Sequence, residues 1–276
     1  MSQMTWQGSR KLINVSKAIA FSSLYVAEHR LRTMSKWWTS MVTFGIGNPL
    51  LLLLSVGIGI GALVDKNSGG IDGVSYLTFL APALLSTAAI QATMDECMFP
   101  VMQGFSWDRT FFAMNSTQIG GRAIVTGVLL SAGARNLFTV VLFEAVLVVF
   151  GAVPLASIPV LTVSSMVAGF AFGSLMLMVA SFVKQDDGVF AIIGRFIVAP
   201  MFMFSGTYYP LESLPNYLQC IGWASPVWHA TEIGRNLSYG HVVQPWLMFV
   251  HIGYLLLMFT VGYVISGWQF VRRLSK

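Results

Sequence analysis

The sequence predicts an all-α integral membrane protein: six transmembrane helices, an amino-terminal amphipathic helix at the interface, a short cytoplasmic helix between the second and third spans, and two short re-entrant helices on the outer face before the last span. Of 276 residues, 55% are hydrophobic and 10% charged, with a mean hydropathy of +0.71, whereas soluble domains carry roughly a quarter charged residues. The apolar runs are continuous over about the 20 residues that a helix needs to cross a bilayer. They lack the alternating segments of about ten residues typical of a closed barrel, and open strands would leave backbone groups unpaired in lipid. A third observation, the uneven bracketing of those runs by basic residues, sets the orientation. With the amino end inside, Arg10, Lys11, Lys17, Arg30, Arg32, Lys36, Arg109, Arg122, Lys184, Arg272, Arg273 and Lys276 fall on the cytoplasmic side. Only Lys66 and Arg235 fall outside, and Arg135 and Arg195 lie within spans, as the positive-inside rule requires. The net charge of +5 thus reads as membrane topology and not as a nucleic-acid surface. A multi-pass plasma-membrane protein with both termini in the cytoplasm is expected.

Residues 1–36 lack the apolar run and small-residue cleavage site of a secretory signal. Ile19, Leu24, Val26 and Leu31 mix with charges at roughly helical spacing, which predicts an amphipathic helix along the inner surface, with Trp37 and Trp38 marking the interface; a solvated tail is the alternative. The first span is expected over 39–64, followed by the polar turn DKNSGGIDG, and the second over 74–94, ending towards Asp95 and Glu96. Pro49 and Pro82 lie inside these spans, where neighbouring helices can satisfy the freed carbonyls, so kinks are expected and not breaks. Residues 95–122 are too polar to span. Phe105, Trp107, Phe111 and Phe112 accompany Asp108 and Arg109, a pattern that reads as one short helix presenting aromatics, with Gly104 turning the chain ahead of it.

The third span, 123–150, carries Arg135 and Glu144. Charges in lipid face protein or water, and a spacing of nine places these two on opposite helix faces. The fourth span is expected over 158–183 and ends in the turn KQDDG. Gly57 with Gly61 and Gly169 with Gly173 have small-xxx-small spacing, the signature of close helix approach or of ordinary bundle packing. The fifth span, 189–208, leads into residues 209–240, where Pro210, Pro215 and Pro226 limit any helix to a few turns. Leu211, Leu214, Tyr217, Leu218, Ile221 and Trp223 nevertheless recur at near-helical spacing, so two short helices joined near Pro226 are expected. The sixth span is 247–270, and the whole chain, 1–276, reads as one domain.

No GxxxxGK[ST] loop is present, so the chain has no ordinary nucleotide site. His29, His229, His241 and His251 are scattered without metal-ligand spacing, and no nucleophile with its base stands at membrane depth. His229, Glu232 and Arg235 follow each other at intervals of three and could cluster on one helix face. Cys97 and Cys220 fall on opposite sides of the predicted bilayer, so no disulfide between them is expected.

After the fifth span come Phe204, Ser205, Gly206, Thr207, Tyr208, Tyr209, Pro210, Glu212, Leu214, Pro215, Pro226, Glu232 and Arg235. In that order the chain resembles the six-span permease subunits of type-2 ABC exporters, a family that includes nodulation-factor and daunorubicin exporter permeases. The likeness covers nearly the whole chain in topology, and at motif level also Trp107 to Met114 and Arg135 with Asn136. It departs after residue 114, where Asn115, Ser116, Thr117 and Gln118 stand in place of the family's frequent proline. The resemblance implies a homodimer or heterodimer of permeases served by two cytoplasmic ATP-binding subunits, which hold the ATP and magnesium, so this chain needs no cofactor and is not itself an enzyme. It places coupling to the ATPase on Gly104, Phe105, Trp107, Asp108, Arg109 and Phe111. It places an outer gate of re-entrant helices on Phe204, Ser205, Gly206, Tyr208, Tyr209, Pro210, Pro215, Pro226, Glu232 and Arg235, with Arg135 and Glu144 as intramembrane polar groups. The implied substrate is an amphiphile (a drug, lipid or glycolipid) moved outward from the cytoplasm or inner leaflet, surrounded by membrane lipids. A polysaccharide exporter of the same layout, a secondary transporter, or a structural membrane protein are the alternatives.

Overall fold

The computed structural model describes residues 15–185 and 188–275. The basic residues Arg10, Lys11 and Lys276 and the two acids of the KQDDG turn lie outside the described residues. Among the described residues fourteen α-helices follow in chain order. They are α1 (Val15–Ala20), α2 (Ser22–Met34), α3 (Trp38–Leu52), α4 (Gly61–Ser68), α5 (Tyr76–Cys97), α6 (Phe99–Ser106) and α7 (Thr110–Asn115), then α8 (Gly121–Val149), α9 (Ile158–Phe182), α10 (Val189–Ile193), α11 (Ala199–Phe204), α12 (Asn216–Trp223), α13 (Pro226–Tyr239) and α14 (Pro245–Leu274). Two π-helical stretches, Leu53–Ile60 and Gly194–Val198, join α3 to α4 and α10 to α11.

Five helical runs among the described residues are long and apolar enough to cross a membrane: Leu50–Ser68, Tyr76–Ser106, Gly121–Val149, Leu155–Phe182 and Pro245–Leu274. The run expected as the fifth span, 189–208, is the shorter apolar helix Val189–Phe204. It stops because the chain turns at Ser205 and Gly206, the latter at φ +69°, a conformation open chiefly to glycine. The second helix runs to Cys97, so Asp95 and Glu96 belong to α5 and not to the polar joint. It breaks at Met98, ahead of Pro100 in the first turn of α6, where a missing amide hydrogen is tolerated. The last helix continues past residue 270 to Leu274. Its Arg273 folds back over the Phe105 ring at 4.1 Å and donates to the carbonyls of Ser181 and Val183 at the end of α9.

The core forms around α9, which packs against α5, α8, α13 and α14. Small residues set these approaches. A Cβ on Gly169 would stand 2.9 Å from the Ala89 carbonyl and one on Gly173 2.9 Å from Thr93, both on α5, while one on Gly262 of α14 would meet the Ser174 backbone at 2.5 Å. Gly57 and Gly61 meet Leu77 and Tyr76 of α5 in the same way, so both glycine pairs are packing contacts. The helix α2 lies on α8 with Ser22, Val26 and Arg30 buried, one turn apart. Ile19, Leu24 and Leu31 stay exposed; only Val26 of the expected apolar set faces the bundle. Cys97 is buried and Cys220 exposed, and neither forms a disulfide.

Gly127 of α8 carries that docking, because a Cβ there would approach Val26 Cβ to 2.5 Å and the Ser23 carbonyl to 2.7 Å. Gly127→Ala should therefore lift α2 from the bundle at an overpacking cost of about 1–3 kcal/mol. The expected result is faster proteolysis of α2 and a lower melting temperature in detergent, with Gly194→Ala, which meets open space, as the control.

Candidate functional site

The segment between α5 and α8 projects one polar tip from the bundle. The helix α6 ends at Trp107, and the backbone amides of Trp107 and Asp108 both donate to the Gln103 carbonyl. The chain then turns through Arg109 at φ +53°, an uncommon conformation for a side-chain-bearing residue, and restarts as α7. Trp107, Asp108 and Arg109 are exposed, and the Gln103 amide donates to Asp108 at 2.7 Å. The other members of the expected set brace them from below. Phe105 and Phe111 are 3% and 2% exposed and pack edge to face on each other at 5.0 Å, with Phe105 4.7 Å from Phe270 of α14. Gly104 lies inside α6, its missing side chain making room for the Phe111 ring 2.6 Å from an added Cβ. The expectation of one helix presenting all its aromatics, turned by Gly104, is corrected to two short helices hinged at Arg109, with Trp107 alone outward.

Four charges meet where α2, α5 and α8 converge. Glu96 is buried and accepts from Arg30 at 3.0 Å and from Arg135 at 2.6 Å. Arg135 also pairs with Asp95 at 3.0 Å, and Arg30 donates to Ser131 at 3.2 Å and to the Glu96 carbonyl at 3.0 Å. Each arginine uses its planar fork on more than one acceptor, the geometry that makes guanidinium suited to buried pairing. Glu144 does not reach this cluster. It accepts from the Thr162 hydroxyl at 2.8 Å, on the opposite face of α8, as the spacing from Arg135 predicts. Sequence reasoning found Arg135 but missed Arg30, whose signal was its place in line with Ser22 and Val26 on one helix face.

Two cavities flank this cluster. One, of about 450 Å³, opens between α2 and the tip and includes His29, Gln103, Asp108 and Met114. The other, of about 440 Å³, lies between α3, α5, α8 and α11 and combines Asn48, Thr87, Gln91 and Thr139 with Phe143 and Phe202. Trp37, Met41 and Arg135 line both, so the charge cluster stands at their junction.

At the far end of the bundle a cap closes over α5. Pro210, Pro215 and Pro226 open its three short helical pieces, and the Ser225 hydroxyl accepts from the Val227 amide to start α13. Arg235 is the hub: buried, 3.7 Å over the Phe79 ring, it donates to the Gly206 carbonyl at 2.9 Å and to Glu232 at 3.2 Å. Tyr76 donates to the Tyr208 carbonyl at 2.8 Å and Tyr209 to the Met203 carbonyl at 2.8 Å, while the Phe204 carbonyl lies against Gly222 of α12. His229 does not join Glu232. Its ring faces α14, with Nδ1 2.8 Å from His251 Nδ1 and Nε2 3.0 Å from the Trp223 carbonyl. His241 takes its place: Nε2 contacts Glu232 at 3.2 Å and Nδ1 contacts Asp72 at 3.0 Å. Two carboxylate partners require both ring nitrogens to donate, the protonated state.

The sequence description "ABC-2 type transporter" matches residues 26–239, which take in the tip, the charge cluster and the cap. The chain belongs to the ABC-2 type transporter family. Among its relatives, Nodulation protein J of Rhizobium leguminosarum bv. viciae is 27% identical over 252 residues, 89% of this chain and 93% of that protein. Nodulation protein J of Sinorhizobium fredii is 28% identical over 211 residues, 74% and 77% of the two chains. The Inner membrane transport permease YadH of Escherichia coli is 22% identical over 259 residues, 92% and 95%. The protein is therefore a multi-pass membrane subunit of an ABC transporter, a permease of the ABC-2 type whose family implies an ATP-binding partner subunit.

Two predictions follow from this permease's ion pairs. Glu96→Gln leaves the buried Arg30 guanidinium without its carboxylate partner and Arg135 with Asp95 alone, and breaking a buried pair costs about 3–5 kcal/mol. Glu28→Gln, which removes only the exposed Arg32 pair, should change stability by less than about 1 kcal/mol, and thermal unfolding in detergent compares them. At the cap, the hydrogen bond that His241 donates to Glu232 holds its imidazole above the usual histidine range, with Asp72 adding to it. A raised folded value means that this contribution is fully present below the ordinary value of about 6.5 and is lost as pH rises through the raised one. The melting temperature should fall as pH rises over that interval, and His241→Gln should flatten the fall.

Proposed function

We propose that this permease is the membrane-spanning half of an ATP-driven exporter, that its exposed tip docks in a groove of the ATP-binding subunit, and that the remaining face of the bundle pairs with a second permease chain. The supporting observation is the construction of the tip: Trp107, Asp108 and Arg109 are presented to solvent on a base of buried phenylalanines tied to α14, so force applied at the tip moves a rigid body. Here Val189–Phe204 completes a six-span topology together with the turn that follows it, and the tip end of the bundle faces the cytoplasm. The helices α12 and α13 then form the re-entrant outer cap, held by Arg235.

The path we infer runs from the cavity beside the tip, past Arg135, into the cavity between α3, α5, α8 and α11. Its wall of apolar rings with amides and hydroxyls suits an amphiphile carrying a hydrogen-bonding head, a drug, lipid or glycolipid taken from the cytoplasm or inner leaflet. Two related permeases, identical or not, and two ATPase subunits make up the working unit, with ATP and magnesium on the partner. The likeness to Nodulation protein J and to the permease YadH favours a transporter over a structural membrane protein.

Asp108→Ala with Arg109→Ala tests this directly in reconstituted vesicles containing the permease and its ATPase subunit. The expected outcome is a loss of substrate-stimulated ATP hydrolysis of about tenfold, the size of a coupling free energy of ~1–3 kcal/mol, with unchanged insertion and melting temperature. Wild-type stimulation would remove the tip from the coupling path.

A further inference from the structure

A second cavity system lies on the other side of the tip, away from the inferred transport path. A cavity of about 770 Å³ is lined by Phe105, Ser106, Trp107, Arg109, Phe112, Lys184, Gln185 and Arg273. Among the described residues its lining carries three cations and no carboxylate, and none of the three is engaged in an ion pair. Asp186 and Asp187 follow in the chain and lie outside the described residues. An apolar groove of about 520 Å³ continues from it along the end of α9, lined by Met178, Val179, Phe182, Val183 and Val189, and the two share Lys184 and Gln185.

The floor is built independently of any ligand. Ser106 donates to the Lys184 carbonyl at 2.9 Å, and Arg273 donates to the carbonyls of Ser181 and Val183 at 3.0 and 2.8 Å while lying over Phe105. These bonds fix the turn after α9 against the ends of α6 and α14. Both α9 and α14 are long enough to span a bilayer, so Lys184 and Arg273 stand where a spanning helix leaves the hydrocarbon and meets the headgroups. A basic hollow at that level, opening onto an apolar groove along a helix, matches a lipid: an anionic head in the hollow and an acyl chain in the groove.

We propose that Arg109, Lys184 and Arg273 form a binding site for an anionic phospholipid, with its phosphate in the cavity beside the tip and one acyl chain along α9. The occupant is a lipid and not an acidic stretch of the partner protein, because beyond the shared Lys184 and Gln185 the groove joined to the cavity is lined only by the apolar Met178, Val179, Phe182, Val183 and Val189.

The test uses the full-length protein, delipidated in a neutral detergent and titrated with short-chain phosphatidylglycerol, phosphatidylcholine or soluble glycerol phosphate, with binding read by native mass spectrometry. Saturable binding of phosphatidylglycerol in clear preference to phosphatidylcholine is expected. Lys184→Gln should weaken it about fivefold, the contribution of one basic residue near a membrane surface, and Lys184→Arg should restore it. Lys184 is exposed and its side chain holds no other element in place, so the variant tests the site without unfolding the chain. Equal affinity for the two lipids, or wild-type affinity in Lys184→Gln, would overturn the proposal. Displacement of phosphatidylglycerol by equimolar glycerol phosphate would replace the lipid with a free phosphate ligand. Loss of ATPase subunit co-purification in Lys184→Gln with lipid affinity unchanged would assign the cations to the partner protein instead.

Discussion

The buried carboxylate of Glu96 is the constraint on which the tip end of the fold depends. Burying a lone charge costs several kcal/mol, and Glu96 meets that cost by accepting from Arg30 of α2 and Arg135 of α8 at once. One group therefore sets the positions of three helices. The amphipathic helix α2 is held to the bundle through this bond and through the close approach of Val26 to Gly127, so it is a packed element and does not depend on lipid alone for its position. The same cluster separates the two cavities, so the step that fastens α2 also shapes the passage between them.

Arg235 does for the cap end what Glu96 does for the tip end, with the signs reversed. It is a buried cation satisfied by one carboxylate, two backbone carbonyls and an aromatic face. Because those partners come from α5, from the Gly206 turn and from α13, the break after α11 and the seating of α13 are one event. The Gly206 carbonyl can point at Arg235 because the residue adopts a positive φ, which explains why a glycine stands there in the run Phe204 to Pro210. At both ends, then, a charge that burial would penalise is converted into a joint between helices.

Much of this was legible in the sequence, and the misses have physical causes. The ends of α8 and α9 fall within two residues of expectation because nothing but solvent competes with a continuous apolar run. The prolines at 210, 215 and 226 mark helix starts, since proline lacks the amide hydrogen that the first turn does not need. What failed was local reading of residues whose partners are distant. Asp95 and Glu96 read as a polar joint because their neutralising arginines are 39 or more positions away in the chain. His229 read as a partner of Glu232 because spacing along a helix is visible, whereas the ring of His251 on α14 is not. Gly104 read as a hinge because a glycine's two uses, a turn or a close approach, look alike until Phe111 is seen against it.

The packing also divides the molecule into parts with different freedom. The helices α5, α8, α9, α13 and α14 share close glycine contacts and buried hydrogen bonds, such as Thr93 to the Gly169 carbonyl at 2.8 Å. The two runs that contain π-helical turns, Trp38–Ser68 and Val189–Phe204, lie on the flank of that block, the first touching α5 through Gly57 and Gly61. Leu51, Leu63, Phe196 and Ile197 on them are more than half exposed, and π-helical turns recur at functional sites. The tip is bonded to the block, while Phe202 at the end of the second run and Tyr208 just beyond it line the cavity between α3, α5, α8 and α11. Motion of the block against these two runs would change the shape of that cavity while shifting the contacts that Leu53, Phe190, Ile193, Val198 and Met201 make with the core, so a displacement at the tip has somewhere to go.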